Sequence, residues 1–493
     1  MAAPPPSPGP SPDLSQAAPQ QLVPDKGDFT NWYKTVLEYT RFLDDRYPLK
    51  GCYVWRPFGY RSLKLFLGIV DEVLQSSGCE EVCFPLLSPA SQFGRESDFL
   101  KGMQTESLRV TKYGDDPLGE DLVVRPTSET IMYPMFALWI RSQADLPLRV
   151  YQTVPVYRWE TKMTVPMLRL REITKFNEAH TVHATREDMV AQIDNALESY
   201  RQIFSRLLIP SWTFLTPSWD TFPGAEYNFD VITVLPHGKA VELGSVIALG
   251  KRFSGVYDIG YADEAGNRQP VWQTCYGLSE RSVGTAIALH GDSRGLRLPS
   301  EIAPVQIVIV PIHRKEEPPG LSDYARELQA ELSRSFRVEL DDRELMPGRK
   351  YYHWEAHGVP VRLEVGAREM KGRNVTVVGR HRGERSLVGR DVLPAALRRL
   401  FDEHDDTLRT EAGRSVEGVL HRCGTAAEAR QVLETSGGIV EVPWDGSVEQ
   451  GKALGEEVGG SALGVRVEGT PAHFSPEEVL ARRPLLLAFA KTV

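Results

Sequence analysis

The chain has 493 residues, with 57 Lys and Arg against 66 Asp and Glu, a formal net charge of −9, and 41% hydrophobic residues. Length and composition predict a globular protein of two to four domains and exclude a collagen-like, wholly disordered or disulfide-stapled chain. The acidic excess argues against a surface coated in basic charge for non-specific nucleic-acid binding.

The first 20 residues, MAAPPPSPGPSPDLSQAAPQ, have no basic n-region, no apolar core and no Arg. They read as neither a signal peptide nor an organelle presequence, and their Pro/Ser/Ala bias predicts a disordered tail over residues 1–27. Leu63, Phe66, Leu67, Val70, Val73 and Leu74 fall at helical spacing and predict a helix over Tyr60–Ser77, stopped by Gly78. EEVCFP (Glu80–Pro85) reads as a strand. Leu148–Glu160 and Met167–Phe176 read as an antiparallel pair joined by a loop containing Pro166. Glu187–Leu208 is amphipathic, with Met189, Ile193, Leu197, Tyr200, Phe204 and Leu207 on one side. Short strands with Gly-rich turns follow from Phe222 to Ala288.

The pattern changes after Leu298–Pro304. VQIVIV (Val305–Val310) is a continuous β-branched run, as in a buried parallel strand. A helix over Leu321–Ser335, a strand over Phe336–Leu340, a helix around Tyr351–His357, two strands (VPVRLEVG and NVTVVGR) and a helix from Asp391 complete an α/β unit with a mainly parallel sheet. A third unit is expected from about Asp405, ending in the apolar run Leu485–Ala490. No run approaches the about 18 apolar residues of a membrane span. Cys52, Cys79, Cys83, Cys275 and Cys423 are too scattered for a disulfide framework and imply a reducing, cytoplasmic setting. There is no GxxxxGK[ST] or GxGxxG phosphate loop.

The densest chemistry lies in YRWETKMTVPMLRLREITKFNEAHTVHAT (Tyr157–Thr185). Arg158 and Glu160 are two apart and share one strand face, with Arg169 and Arg171 on the partner strand. A carboxylate among guanidiniums suits a polyphosphate and a base, because Arg neutralises phosphoryl oxygens and Glu accepts from an amino group. The same pattern also fits a cross-strand salt-bridge ladder. His180 and His183 form HxxH without a third ligand at metal spacing, so packing and hydrogen bonding are expected of them.

RPTSET (Arg125–Thr130), the RWE…P…R…RE segment and HGDSRGLRLPSEIAP (His290–Pro304) together resemble class II aminoacyl-tRNA synthetases. More narrowly they resemble prolyl-tRNA synthetases of the archaeal/eukaryotic type, and Asp341–Met370 is similar to that family's anticodon-binding signature. The resemblance implies a fold of mixed α/β class. An antiparallel sheet with flanking helices would form an α+β catalytic core over residues 28–300. An α/β anticodon-binding domain (301–404) and a small α+β C-terminal domain (405–493) would follow. Only about 90 residues separate motif 2 from motif 3, too few for an inserted editing domain.

Carried over by position, the resemblance gives Thr127 and Glu129 to the amino acid's ammonium. Their plainer reading is a helix start with Glu in the first turn. Arg158 would bridge the amino-acid carboxylate and the ATP α-phosphate, with Glu160 on the adenine amino group and Arg169 a second ATP contact. In motif 3 (GLSER, Gly277–Arg281), Arg281 would lie against adenine and Ser279 near the nucleotide. Arg158 and Arg281 are the expected catalytic groups, assisted by Mg²⁺, for which Glu242 is a candidate ligand. The helix from Tyr60 and the strand ending at Pro85 match motif 1, which implies a homodimer.

Three departures from the family pattern stand out. Where the family commonly reads QxGTxH, this chain has ELGSVI (Glu242–Ile247), so Glu242 and Ser245 replace ATP-side residues and Ile247 a pocket histidine. TSWG becomes TCYG, placing Cys275 by the amino acid. The four-cysteine zinc site of the family's C-terminal domain is reduced to Cys423, with His421 nearby, so no structural zinc is expected.

The function implied is ATP-dependent ligation of L-proline to tRNA(Pro) through prolyl-adenylate. The alternatives are a paralogue with altered amino-acid or inhibitor specificity, and a non-catalytic tRNA-binding regulator. Resemblance points to Arg343, Lys350, Arg362, Glu364 and Arg368 as tRNA contacts. They lie in a segment, Arg343–Arg390, with 11 Lys/Arg against 5 Asp/Glu, a local basic cluster in an acidic chain.

Overall fold

Backbone hydrogen bonding turns this periodic sequence into two kinds of sheet. The computed structural model describes residues 24–94, 107–313, 319–467 and 475–493. The expected tail lies outside the described residues up to position 23. Within the described residues, the Lys26 ammonium donates to the carbonyls of Leu289 (3.0 Å) and Gly291 (2.6 Å). The chain divides into two units, one made of residues up to 67 with 286–414, the other of 68–285 with 415–493.

In the first unit, Asp28 caps the helix Phe29–Tyr39 by accepting from the Asn31 N–H. That helix buries Phe29, Trp32, Tyr33, Val36 and Leu37, the one-sided spacing of an amphipathic helix. A five-stranded sheet runs in the spatial order Val338–Leu340, Ile307–Pro311, Val361–Val365, Asn374–Gly379, Arg385–Gly389. Ile307–Pro311 is buried throughout and pairs in parallel with both neighbours, as its β-branched run predicts. The last two ladders are antiparallel, so the sheet is mixed rather than mainly parallel. Gly383, at φ +72°, closes the hairpin between Asn374–Gly379 and Arg385–Gly389, the latter a strand not expected from the sequence. Leu321, Tyr324, Ala325, Leu328 and Leu332 of the helix Leu321–Leu332 join Ile307, Ile309, Leu363 and Val377 in one core. The following helix spans Leu393–Ser415 without a break and carries residue 405 in its interior.

The second unit is built on an eleven-stranded sheet. Its central strands, in spatial order, are Trp212–Leu215, Tyr227–Val234, Ala240–Gly250, Trp272–Leu278, Glu172–His183 and Leu148–Tyr157, all antiparallel neighbours. C-terminal strands extend the same sheet through Val465, which pairs with Leu215. The helix Arg186–Arg206, capped by Thr185 on the Asp188 N–H, buries Met189, Ile193, Leu197, Tyr200 and Phe204. Gly244 is required beneath it, since a Cβ there would lie 2.8 Å from the Tyr200 ring and 2.8 Å from the Gly277 carbonyl.

Two strands differ from their sequence patterns. The return strand of the Leu148–Tyr157 pair begins at Glu172 rather than Met167. Met167 takes φ +59°, and the N–H groups of Leu168 and Arg169 both donate to the Val165 carbonyl, closing a turn. The strand expected over Glu80–Pro85 is confined to Glu80–Glu81, because the Phe84 N–H is taken by the Gln152 side chain at 3.0 Å. A three-stranded sheet of Leu87–Pro89, Leu108–Tyr113 and Asp116–Val124 was not legible in the sequence, where polar and acidic residues interrupt the alternation. Among the described residues no helix is long and apolar enough to cross a membrane.

Candidate active site

Antiparallel register puts the functional side chains on one face of the large sheet. Ile247 opposes Cys275, and Cys275 opposes His180, across three adjacent strands. All three are buried and line a cavity of about 170 Å³ together with Thr127, Glu129, Arg158, Phe176, Glu178, Phe222 and Ser279. A second cavity, about 420 Å³, is lined by Glu160, Arg169, Asp230, Glu242 and Thr492 among others. Arg158, Glu242, Ser279 and Arg281 line both, so the two cavities meet at paired guanidiniums.

Arg158 is held by its Nε, which donates to the Pro126 carbonyl at 2.9 Å, and its guanidinium lies 5.6 Å over the Phe176 ring. Burial lowers its pKa, while Glu129 and Glu178 oppose that shift and keep the cation in place. Arg281 donates from Nε to the Leu168 carbonyl (3.1 Å) and from Nη1 to the Glu242 carbonyl (3.0 Å). The Ser279 hydroxyl accepts from the Arg281 N–H at 3.2 Å. Arg169 and Glu160 stand 3.7 Å apart, and Arg169 also donates to the main-chain oxygen of Val493. The salt-bridge element of the sequence pattern is therefore present, but it faces a cavity rather than a solvated sheet surface.

Thr127 and Glu129 are both buried at the start of the helix Glu129–Trp139. The Thr127 hydroxyl donates to Glu129 Oε2 at 2.5 Å, and no side chain caps the helix at Ser128. Ser128 instead donates to Glu178 Oε1, which also accepts from Gln152 Nε2 at 3.1 Å. This buried Ser128–Gln152–Glu178 network was missed in the sequence, where its one signal is a Glu inside a strand that is otherwise buried from Asn177 to His183. Burial works to raise the Glu178 pKa, but hydrogen bonds and charge from His180, Ser128 and Gln152 outweigh it and the net shift is downward.

On the larger cavity, the Ser245 hydroxyl is shared between Asp230 Oδ1 (2.5 Å) and Glu242 Oε1 (3.2 Å). Burial and then the Glu242 charge push the Asp230 carboxyl up to about 7. Asp230 carries no motif signature. Glu280, next to Arg281, accepts from the Thr174 and Lys175 N–H groups at 2.8 and 3.2 Å, and burial raises it to about 7. Tyr276 follows Cys275, and its hydroxyl meets Cys79 Sγ and Gln192 Nε2, both at 3.2 Å. His183 Nε2 contacts the Thr181 hydroxyl at 2.7 Å, and His180 Nδ1 the Tyr133 hydroxyl at 3.1 Å.

The basic segment of the first unit is more paired than its sequence suggests. Arg343 is forked onto Asp341 at 2.8 and 2.7 Å. Arg362 pairs with Glu364 at 3.0 Å and lies 4.1 Å over the Tyr351 ring. Glu364, nearly buried, also meets Arg385 at 3.3 Å. Lys350 is buried, donates to the Asp341 carbonyl at 2.9 Å and has its pKa lowered by burial. Arg368 is exposed. In the second unit, Cys423 packs with Ala429, Leu433, Val442 and Phe489, and burial raises its thiol pKa.

An antiparallel sheet carrying two arginine-linked cavities is the architecture of a class II tRNA synthetase core. Residues 109–290 match the tRNA synthetase class II core domain (G, H, P, S and T), and residues 306–400 match the anticodon binding domain. The chain is 41% identical to the proline–tRNA ligase of Methanosarcina mazei over 453 residues, 92% of this chain and 94% of that protein. It is 42% identical to the proline–tRNA ligase of Pyrococcus abyssi over 439 residues, covering 89% and 92%. The structure of Giardia lamblia prolyl-tRNA synthetase in complex with prolyl-adenylate superposes with a TM-score of 0.88 at 32% identity, covering 96% of this chain and 99% of that one. Prolyl-tRNA synthetase from Cryptosporidium parvum, complexed with halofuginone and AMPPNP, gives 0.86 at 30% identity, with coverage of 96% and 99%. The chain belongs to the prolyl-tRNA synthetase family.

Proposed function

We propose that the protein ligates L-proline to tRNA(Pro) in two ATP-dependent steps. The observation that carries this is the meeting of a small and a larger cavity at Arg158 and Arg281. A substrate carboxylate in the small cavity and a triphosphate in the larger one would both face these guanidiniums. In the first step a carboxylate oxygen attacks the α-phosphorus in line, pyrophosphate leaves, and prolyl-adenylate forms. In the second, the tRNA 3′-terminal hydroxyl attacks the acyl carbon, its proton is lost, and AMP leaves. Arg158 and Arg281 neutralise charge that builds on the phosphoryl oxygens, and their backbone anchors hold them there before reaction. Thr127 and Glu129 accept from the amine, while Glu160, Arg169 and Ser279 position the nucleotide.

Mg²⁺ fits the Asp230–Ser245–Glu242 group, whose hard oxygen donors suit it. Asp230 is raised by burial first and by the Glu242 charge second, and a divalent cation between the two carboxylates would offset that charge. When bound there it would neutralise part of the triphosphate charge. The contacts to tRNA we assign to Arg343, Arg362 and Arg368, with the exposed Arg368 and the Arg362–Tyr351 stack best suited to single-stranded bases, whereas the buried Lys350 and Glu364 would act only by holding Asp341 and Arg362. A homodimer is supported by an apolar groove lined by Leu87, Met135 and Trp139, with Leu138 exposed nearby. A cytoplasmic setting is supported by five cysteines of which none is in a disulfide.

A second reading, altered selectivity toward proline analogues or inhibitors, is favoured by Ile247 and Cys275 lining the small cavity. ATP–pyrophosphate exchange with each amino acid separates the readings. Exchange with proline supports the ligase, exchange only with another amino acid supports the paralogue, and none supports a non-catalytic tRNA-binding regulator.

A further inference from the structure

A third cavity, of about 270 Å³, is lined by Leu215 and Val465 at the point where the core sheet takes on its C-terminal strands. Its walls are apolar, formed by these two residues with Trp444, Leu485 and Leu487, and all but Trp444 are buried. Tyr227 also lines it, is 7% exposed, and its buried hydroxyl has no hydrogen-bond partner among the described residues. Burial pushes that phenol up to about 12, so it stays protonated and is a donor with nothing to donate to. A buried polar atom left unpaired in a cavity wall points to a missing ligand atom. The rim carries both signs of charge. Glu226 and Asp445 are exposed there with Arg483, and Arg186 stands 3.9 Å from Glu226 and 4.0 Å from Glu477. That balance favours a ligand without net charge, since either sign would meet a like charge at the rim.

We propose that this cavity binds an uncharged aromatic amide and that its occupancy weakens ATP binding in the larger cavity. The ring lies among the leucines and Trp444, the carbonyl accepts from the Tyr227 hydroxyl, and the amide N–H donates to Glu226. Two links join the cavities. Thr216, in the wall of the third cavity, donates from its hydroxyl to Asp230 Oδ2 at 2.7 Å and accepts from Asn228 Nδ2 at 2.6 Å, and Asp230 lines the larger cavity. The strand Ser461–Arg466 is the other link, with Ser461, Ala462 and Leu463 on the larger cavity and Gly464 and Val465 on the third. Its register slips between Ala462 and Gly464, where φ is +112° and a Cβ would run into the Leu215 carbonyl. The second lone pair of the ligand carbonyl draws the Thr216 hydroxyl, which removes one of the bonds that fix Asp230. By linkage, ATP weakens the amide by the same factor. The coupling, though not the site, rests on the reading that the larger cavity takes ATP.

The test is isothermal calorimetry on the full-length protein, with benzamide as the probe, ATP titrations with and without it, and ATP–pyrophosphate exchange on the same samples. Benzamide should bind with a Kd of about 1 mM or tighter, and benzoate, its charged counterpart, more weakly. Tyr227→Phe should weaken benzamide about two- to tenfold. Leu480→Trp, at the exposed edge of the cavity, should abolish its binding, and neither variant should change ATP binding. Saturating benzamide should raise the Kd for ATP about fivefold, and Thr216→Val should erase that increase while benzamide still binds. No benzamide binding, an affinity no better than that of benzoate, or binding that neither Tyr227→Phe nor Leu480→Trp reduces overturns the site. An ATP Kd unmoved by benzamide overturns the coupling. ATP binding without proline-dependent exchange overturns the ligase reading and not the site.

Discussion

Arg281 Nη1 donates to the main-chain carbonyl of Glu242 at 3.0 Å, while its Nε donates to that of Leu168 at 3.1 Å. One guanidinium thus ties a helix start to a sheet strand and to the turn before another strand. Its planar fork is oriented by backbone before any substrate arrives. Lysine offers a single point charge and cannot reproduce the fork. Arg281→Lys should lower pyrophosphate exchange about 10²–10³-fold with little change in melting temperature. An undiminished rate would show that the fork is dispensable.

Gln152 bridges Ser128, Glu178 and the Phe84 N–H inside the sheet. Gln152→Leu keeps similar bulk but strands the Phe84 N–H and removes one donor each from Ser128 and Glu178, which keep their bond to each other. Unsatisfied buried groups cost about 1–3 kcal/mol each. Urea denaturation should show a loss in at least that range, and a neutral result would mean the network relaxes around the gap.

The Glu280 carboxyl is raised by burial from 4.5 to about 7. Between those values the folded state holds a proton that the unfolded chain has lost. Its stabilising contribution is complete below about 4.5 and declines as pH rises toward about 7. Relative to Glu280→Gln, which stays neutral throughout, the parent should therefore lose melting temperature as pH rises across this window. A single such group cannot exceed about 1.4 kcal/mol per pH unit.

Glu242 is the second cause, after burial, of the raised Asp230 pKa. Glu242→Gln removes that charge, and the Asp230 inflection should move below about 7, toward its ordinary range. The pH dependence of the KM for ATP in pyrophosphate exchange reads this shift. An inflection that stays in place would assign it to another group.

Arg362 stacks on Tyr351 and shares Glu364 with Arg385. Arg362→Ala leaves Glu364 its second partner, so the fold is kept. The KM for tRNA in aminoacylation should rise about tenfold or more if a base contact is lost. Pyrophosphate exchange, which needs no tRNA, should be unchanged, and an equal fall in both assays would count against a tRNA role.

Strong periodicity was read well. The helices expected over Tyr60–Ser77 and Glu187–Leu208 appear as Pro57–Ser76 and Arg186–Arg206. The buried run at Val305–Val310 became a parallel strand shifted by two residues at its start. Errors fell where one local hydrogen bond outweighed propensity, at Met167 with its left-handed backbone and at Phe84 with its N–H held by Gln152. Arg158, Arg169 and Arg281 were legible as members of one candidate site because ordered motifs carry their types and spacing, and all three line the larger cavity.

What the sequence alone determined is therefore the family, the order of elements and the types of residue at the two cavities. These depend on local spacing and on motif identity. Only the tertiary structure decided which of those residues meet. Packing and hydrogen bonding were expected of His180. In space it lies opposite Cys275, 95 residues later by number, with Glu129 brought from 51 residues earlier. Cross-strand register and the approach of one helix create that grouping. So do the raised Asp230 carboxyl and the buried Lys350, since burial and neighbouring charge are properties of packing.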